Sequence, residues 1–438
     1  VKSQIALIAA LSLPLLGGQN DTFLIRNATV HPVSSPQMDN ASVLVVDGKI
    51  ADVGSKIAVK GKIRIIEGKG LHVYPGIIDS GSPIGLSEIG SVRESVDTGE
   101  LGDFNPQLRS IIAVNPASEH IPVVRANGIT SVMVTPGGAG GGRGGSGGSL
   151  ISGQVSLMHL DGWTWEEMEI RRGAAMQITW PAIASGGRFG DGDAPPAFAA
   201  RRTTFAEAKR TQEQQVQKIR EFFEEAKRYQ LAKSSGAAGF KPDLKFEAML
   251  PVLSGKMPLM VVAAREREIR EAVQWAEREQ VKIVLAGVRR AGKMTEELAK
   301  KNIPVILGST FTTPLEEDDP YDEPFTLPGE LAKAGVKIAF ASFGTQFARN
   351  LPYEASQAVP FGLSYDEALK SVTLNAAQIW GVADQIGSIE KGKIADLIVT
   401  DGDPLEIRTQ VKMMFIKGEP VDLESKHTRL YKKYLARP

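Results

Sequence analysis

Apolar and polar positions fall into two regimes along this chain. Near the N-terminus short strand-like runs follow one another closely: residues 22–31 (TFLIRNATVH), 41–46 (ASVLVV), 50–53, 63–67 and 71–74. Asp47-Gly48-Lys49 separates the second run from the third and reads as a hairpin turn. This spacing predicts a small β-sandwich. Further on, strand-like runs alternate with amphipathic helices. Residues 129–134 (ITSVMV) read as a strand, and residues 204–231 as a long helix with Val216, Ile219, Phe223 and Ala226 on one face. Strands at 259–263, 282–285, 303–307 and 336–341 alternate with helices at 265–278, 295–301, 329–334 and 364–372. A proline-containing loop (Pro314, Pro320, Pro324, Pro328) precedes the third of these helices, and 374–377 reads as a turn. Alternation of this kind predicts a parallel barrel or sheet. Strand signals return at 395–400 and 411–417 (VKMMFIK).

Composition narrows the chemistry. The 438 residues carry 51 Lys+Arg and 51 Asp+Glu, a formal net charge of zero, which gives no reason to expect a nucleic-acid partner. There is no cysteine, so disulfides, thiolate zinc sites and a cysteine nucleophile are excluded. Five histidines are few for a metal site built on imidazole. Lys2, the apolar run 5–16 (IALIAALSLPLL) and Gly17-Gly18-Gln19 describe a secretory signal peptide over residues 1–19. That run is short for a membrane span, and no other stretch is apolar enough. The expectation is an exported protein, periplasmic or extracellular, with no membrane span in the mature chain. The glycine-rich loop 137–148 lacks the Gly-Lys-Ser/Thr ending of a phosphate loop and reads as a flexible connection near a strand end.

Two stretches carry a resemblance. Pro75-Gly76-Ile77-Ile78-Asp79 is a buried strand opening into Ser80-Gly81-Ser82-Pro83, and residues 387–399 read GSIEKGKIADLIV. Both, with TLNAAQIWGV at 373–382, resemble the amidohydrolase superfamily, which includes imidazolonepropionase and dihydroorotase. The resemblance implies a TIM-like (β/α)8 barrel over 76–385. It also implies a discontinuous β-sandwich built from 20–75 and 386–422, with a tail at 423–438. It implies hydrolysis of carbon–nitrogen bonds in small cyclic amides by a divalent, zinc-type metal.

The metal ligands that the resemblance calls for do not appear. The first strand of the family reads Pro-Gly-Leu-Ile-Asp-x-His-x-His; here Gly81 and Pro83 stand at the histidine positions. The positions at later strands fall on Val262, Ala264, Gly287 and Phe343. A catalytic metal needs three or more converging donors and an open position for water, so no metal or other cofactor is expected unless a site has been rebuilt. Candidates for a rebuilt catalytic site are Asp79, His120 and His159. Arg265, Arg349 and Asn350 are candidates for substrate binding at the mouth. For Asp79 and the histidines, a hydrogen-bonding structural role is the simpler reading. Three functions stay open: a degenerate member that binds a small molecule, an active hydrolase with a rebuilt site, and a structural subunit, which admits a homo-oligomer.

Overall fold

The computed structural model describes residues 22–59, 61–136, 149–183, 204–236, 239–316 and 318–437. The apolar run at 5–16 and the glycine-rich loop 137–148 lie outside the described residues.

Five strands open the chain: β1 (Phe23–Val30), β2 (Met38–Val46), β3 (Lys49–Gly54), β4 (Arg64–Glu67) and β5 (His72–Pro75). β1, β2 and β3 pair antiparallel in sequence, and β1 pairs parallel with both β4 and β5. The β2–β3 hairpin turns on Asp47 (φ 49°) and Gly48 (φ 74°), the left-handed pair that a tight hairpin requires.

At Gly76 the chain leaves this sheet for the barrel. A Cβ there would lie 2.1 Å from Thr130 Oγ1, so no side chain fits. The barrel strands are β6 (Ile77–Ser82), β7 (Ile129–Val134), β8 (Ile151–His159), β9 (Glu169–Thr179), β10 (Leu259–Val262), β11 (Ile283–Val288), β12 (Val305–Leu307) and β13 (Ile338–Phe340). They pair in sequence order from β6 to β13. The main-chain N–H of Phe343 donates to the Gly81 carbonyl at 2.8 Å and brings the two edges together. The result is a TIM-like barrel with one reversal: β8 runs antiparallel to both β7 and β9. Only residues 160–168 join β8 to β9, too few for the crossover that a parallel pair needs.

Helices cover the outside: α1 (His120–Arg125), α2 (Trp165–Met168), α3 (Phe205–Ser234), α4 (Leu244–Leu253), α5 (Glu266–Glu279), α6 (Thr295–Lys300), α7 (Glu323–Lys333), α8 (Leu351–Gln357), α9 (Tyr365–Ser371) and α10 (Leu374–Ile379). The long helix starts on a capping box, Thr204 with Glu207, and buries Val216, Ile219, Phe223 and Ala226 as its spacing predicts. Phe223 meets Trp275 of α5 edge-on at 4.8 Å. Two expectations change. α7 begins six residues before the predicted 329, because Pro324 falls in its first turn, where a missing N–H costs nothing. The predicted turn at 374–377 is the first part of α10. α4, α8 and β9 were not predicted.

The chain then returns to the first sheet with β14 (Leu397–Thr400), β15 (Val411–Ile416) and β16 (Glu419–Pro420). β14 pairs antiparallel with β5, Leu397 opposite Pro75 and Thr400 opposite His72, so both chain ends build one sheet. Phe23 and Phe415 stack in its core at 4.5 Å. The tail ends in α11 (Lys426–Leu435), tied to the barrel by Arg429 and Glu119 at 3.3 Å. No helix among the described residues is long and apolar enough to cross a membrane.

Candidate functional site

Barrel enzymes work at the C-terminal ends of their strands. At that end an aromatic ring packs between the end of β6 and the segment after β12. A Cβ on Gly81 would lie 2.8 Å from Phe343 Cε1, closer than side chains approach, and 3.3 Å from Ala341 Cβ, a tight contact. On its other side the ring lies 3.6 Å from a Cβ built on Gly308. Phe343 holds φ 45°, an uncommon left-handed conformation for a bulky residue. Its ring extends the apolar filling of the barrel interior, formed by Ile78, Met133, Met260, Val262, Ile306 and Ala339.

Asp79 lies directly beneath. It is fully buried, and its carboxylate accepts from Gly81 N–H at 3.1 Å, Ser342 N–H at 3.0 Å and Ser342 Oγ at 2.6 Å. Burial pushes its pKa up to about 6, although these three donors pull it down. Asp79 thereby fastens the end of β6 to the segment after β13.

The three residues considered for a rebuilt site do not meet. His120, at the start of α1, has Nε2 2.9 Å from the Glu88 carbonyl. His159 ends the reversed strand β8, and so lies at the opposite end of the barrel from the ends of the parallel strands. There its Nε2 lies 2.8 Å from Asp396 Oδ2, with both side chains buried. Asp396 also accepts from Lys417 N–H (2.9 Å) and, through its carbonyl, from Gly76 N–H (2.8 Å). His159 thus joins the barrel to the sheet built by both chain ends, which is one eight-stranded sheet where a β-sandwich was predicted. The other histidines are as remote. His31 and His72 pair at 3.0 Å in the first sheet, where burial and the neighbouring His72 push His31 down to about 4. His427 is exposed on α11.

Of the residues considered for substrate binding, Arg265 caps α5 and pairs with Glu316 (2.7 Å) and Glu268 (3.3 Å). Arg349 and Asn350 lie between β13 and α8. The Arg349 carbonyl accepts from Asn127 at 2.9 Å, and neither side chain lines the cavity described next.

A cavity of about 230 Å³ opens beside the Phe343 ring. It is bounded by the ends of β11, β12 and β13 and by the start of α7. Its apolar wall includes Leu307, Leu327, Phe340 and Phe343. Its polar groups differ in availability. The Ser309 and Thr310 hydroxyls are taken by Glu354, and Ser342 Oγ by Asp79 and the Gly344 carbonyl. Glu323 and Arg289 remain. Burial, then repulsion from Glu330, raises the Glu323 carboxyl above its ordinary range. Arg289 reaches the wall through a β-bulge at Gly287 (φ 69°), where the β11–β12 register shifts. The sequence reading missed Arg289, Glu323 and Ser342, although Arg289 stands one residue past the end of a strand, where barrel sites are built.

A divalent ion does not fit this mouth. Gly81, Pro83, Val262, Ala264, Gly287 and Phe343 offer no side-chain donor, and the Phe343 ring fills the space against Gly81. Among the described residues no three His, Cys, Asp or Glu side chains are grouped to hold a metal.

Comparison with known proteins places the chain. The model of the amidohydrolase family matches residues 326–421. An amidohydrolase from Thermotoga maritima MSB8 superposes with a TM-score of 0.76 at 29% identity, covering 91% of this chain and 99% of that one. The chain belongs to the amidohydrolase superfamily. Amidohydrolase tasK of Hapsidospora irregularis is 23% identical over 95% of this chain. An imidazolonepropionase of Sphingopyxis alaskensis is 52% identical over 48 residues, 11% of this chain and 12% of that protein. The chain spans less than half the length of tasK (45%).

Proposed function

We propose that this protein is an amidohydrolase-superfamily member that has given up metal-dependent hydrolysis and binds a small molecule in the cavity at the barrel mouth. One observation carries the reading: the Phe343 ring stands against Gly81 where a metal and its strand-1 ligand would need room. The absence of histidine at positions 81, 83, 262, 264, 287 and 343 supports it. So does the closed hydrogen bonding of Asp79, which leaves that carboxylate tied to the protein's own donors. The basic, apolar, small-residue pattern of residues 2–19 supports export. The test is a hydrolase screen over cyclic amides, dipeptides and esters, run with and without a chelator, beside a thermal-shift screen of small molecules. The reading expects ligands that raise the melting temperature and no turnover; turnover abolished by the chelator overturns it.

A second reading has one observation in its favour. Ser342 lines the cavity, and its hydroxyl donates to a buried carboxylate at 2.6 Å. Asp79, pushed up to about 6, is ionised near neutral pH and placed to take the Ser342 proton as the oxygen bonds to an ester or amide carbonyl carbon; the C–O or C–N bond then breaks, the proton passes to the departing alcohol or amine, and water hydrolyses the acyl-serine. Metal-independent turnover lost in Ser342→Ala would establish it.

A further inference from the structure

Among the described residues three arginines, Arg265, Arg289 and Arg290, follow β10 and β11, and two of them have acidic partners. Arg265 pairs with Glu316 and Glu268, and Arg290 with Asp319. Arg289 has no carboxylate within ion-pair distance among the described residues. Its Nη2 donates to the Thr313 carbonyl at 2.6 Å and to Thr312 Oγ1 at 3.3 Å. Its Nε and Nη1 make no hydrogen bond among the described residues. These contacts fix the guanidinium on the cavity wall and leave one edge of the fork open. Burial, and next the positive charge of Arg265, push its pKa below the ordinary range. A guanidinium nonetheless stays protonated in proteins, so a cation with no ion-pair partner among the described residues lines the cavity. A half-buried cation with an open planar edge is matched by a planar anion.

We infer that Arg289 anchors the carboxylate of a small, otherwise apolar molecule whose body lies against Leu307, Leu327 and Phe343. This rests on the proposed reading of the mouth as a ligand site. A single negative charge is favoured over a phosphate dianion, because Glu323 lines the same cavity and Glu316 and Asp319 lie close enough to act on Arg289. The volume sets the size. About 230 Å³ lies below the roughly 300–1,000 Å³ of drug-sized sites and suits one small ring with a short acid arm.

The test is calorimetric titration of the purified full chain with phenylacetate, phenylacetamide and phenyl phosphate. It is repeated on Arg289→Ala, Arg289→Lys and Leu327→Trp, each checked for folding by its melting curve. Phenylacetate should bind at least tenfold more tightly than phenylacetamide or phenyl phosphate. Arg289→Ala should remove that advantage and leave the amide unchanged, and Arg289→Lys should retain part of it. Leu327→Trp, which fills the cavity, should abolish binding of all three. Equal binding of acid and amide, indifferent to Arg289→Ala but lost in Leu327→Trp, would leave the cavity as a ligand site and overturn the anion anchor alone. Tighter binding of phenyl phosphate would overturn the choice of a monoanion. No binding of any of the three to the unaltered protein at millimolar concentration would overturn the inference. Chelator-sensitive hydrolysis in the earlier screen would instead overturn the reading beneath it.

Discussion

Gly81 and Phe343 are complementary in shape: the ring edge of one lies 2.8 Å from where a side chain on the other would begin. The pair joins the first and last strands of the barrel, and Phe343 N–H also donates to the Gly81 carbonyl at 2.8 Å. The missing side chain at 81 and the bulky one at 343 therefore form one packing arrangement, which puts an aromatic ring against position 81, where the superfamily resemblance calls for a metal donor.

Gly81→Ala should accordingly destabilise the protein by about 1–3 kcal/mol, the usual cost of overpacking a filled interior. In a Phe343→Ala background the same change should cost distinctly less, because the 2.8 Å approach is gone and only the 3.3 Å one to Ala341 Cβ remains. Urea unfolding of the four proteins of this double-mutant cycle measures the coupling. Additive effects would show that the two residues are not packed together.

Asp79 makes stability depend on pH with a defined sign. Its carboxyl rises from 3.8 to about 6 on folding. Between those values the folded chain holds a proton that the unfolded chain has released. Its contribution is therefore fully present below about pH 4, is lost as pH rises through about 6, and is level above that. The difference corresponds to ~3 kcal/mol. Asp79→Asn removes this titration, so the stability of the variant relative to the unaltered protein should rise by about that amount between about pH 4 and pH 7. Denaturation curves at several pH values across the window check it; a constant difference would contradict it.

His159 and Asp396 form a buried contact at 2.8 Å between the barrel and the sheet built by both chain ends. His159→Ala leaves the carboxylate without that donor and should cost ~3 kcal/mol. Binding at the barrel mouth should be unchanged, since His159 ends the reversed strand at the other end of the barrel. A change in ligand affinity without a change in melting temperature would return His159 to the site.

Much of the architecture was legible. The Asp47-Gly48 hairpin, the apolar stripe of α3 and the strands before α5 and α6 follow from turn chemistry and periodicity alone. The return of the chain to the first sheet near residue 397 was implied by the resemblance of GSIEKGKIADLIV, and the pairing with β5 is seen only in the structure. The reversal of β8 was not legible, because all nine residues of that strand are buried and no alternation marks its direction or neighbours. α7 was misjudged because Pro324 reads as a breaker, when a first-turn position accepts it. At the site, the absent donors could be read from Gly81, Pro83 and Phe343. The shape match between Gly81 and Phe343 could not, since 261 intervening residues separate them and only the closed barrel brings them together. Nor could the availability of Arg289, which depends on where Arg265 and Arg290 find their carboxylates.

The most direct test of the central proposal is the metal content of the purified protein, measured by elemental analysis after expression with zinc, manganese and iron supplied. The account predicts only traces, unchanged in Asp79→Asn. One or two equivalents per chain that survive dialysis would contradict it.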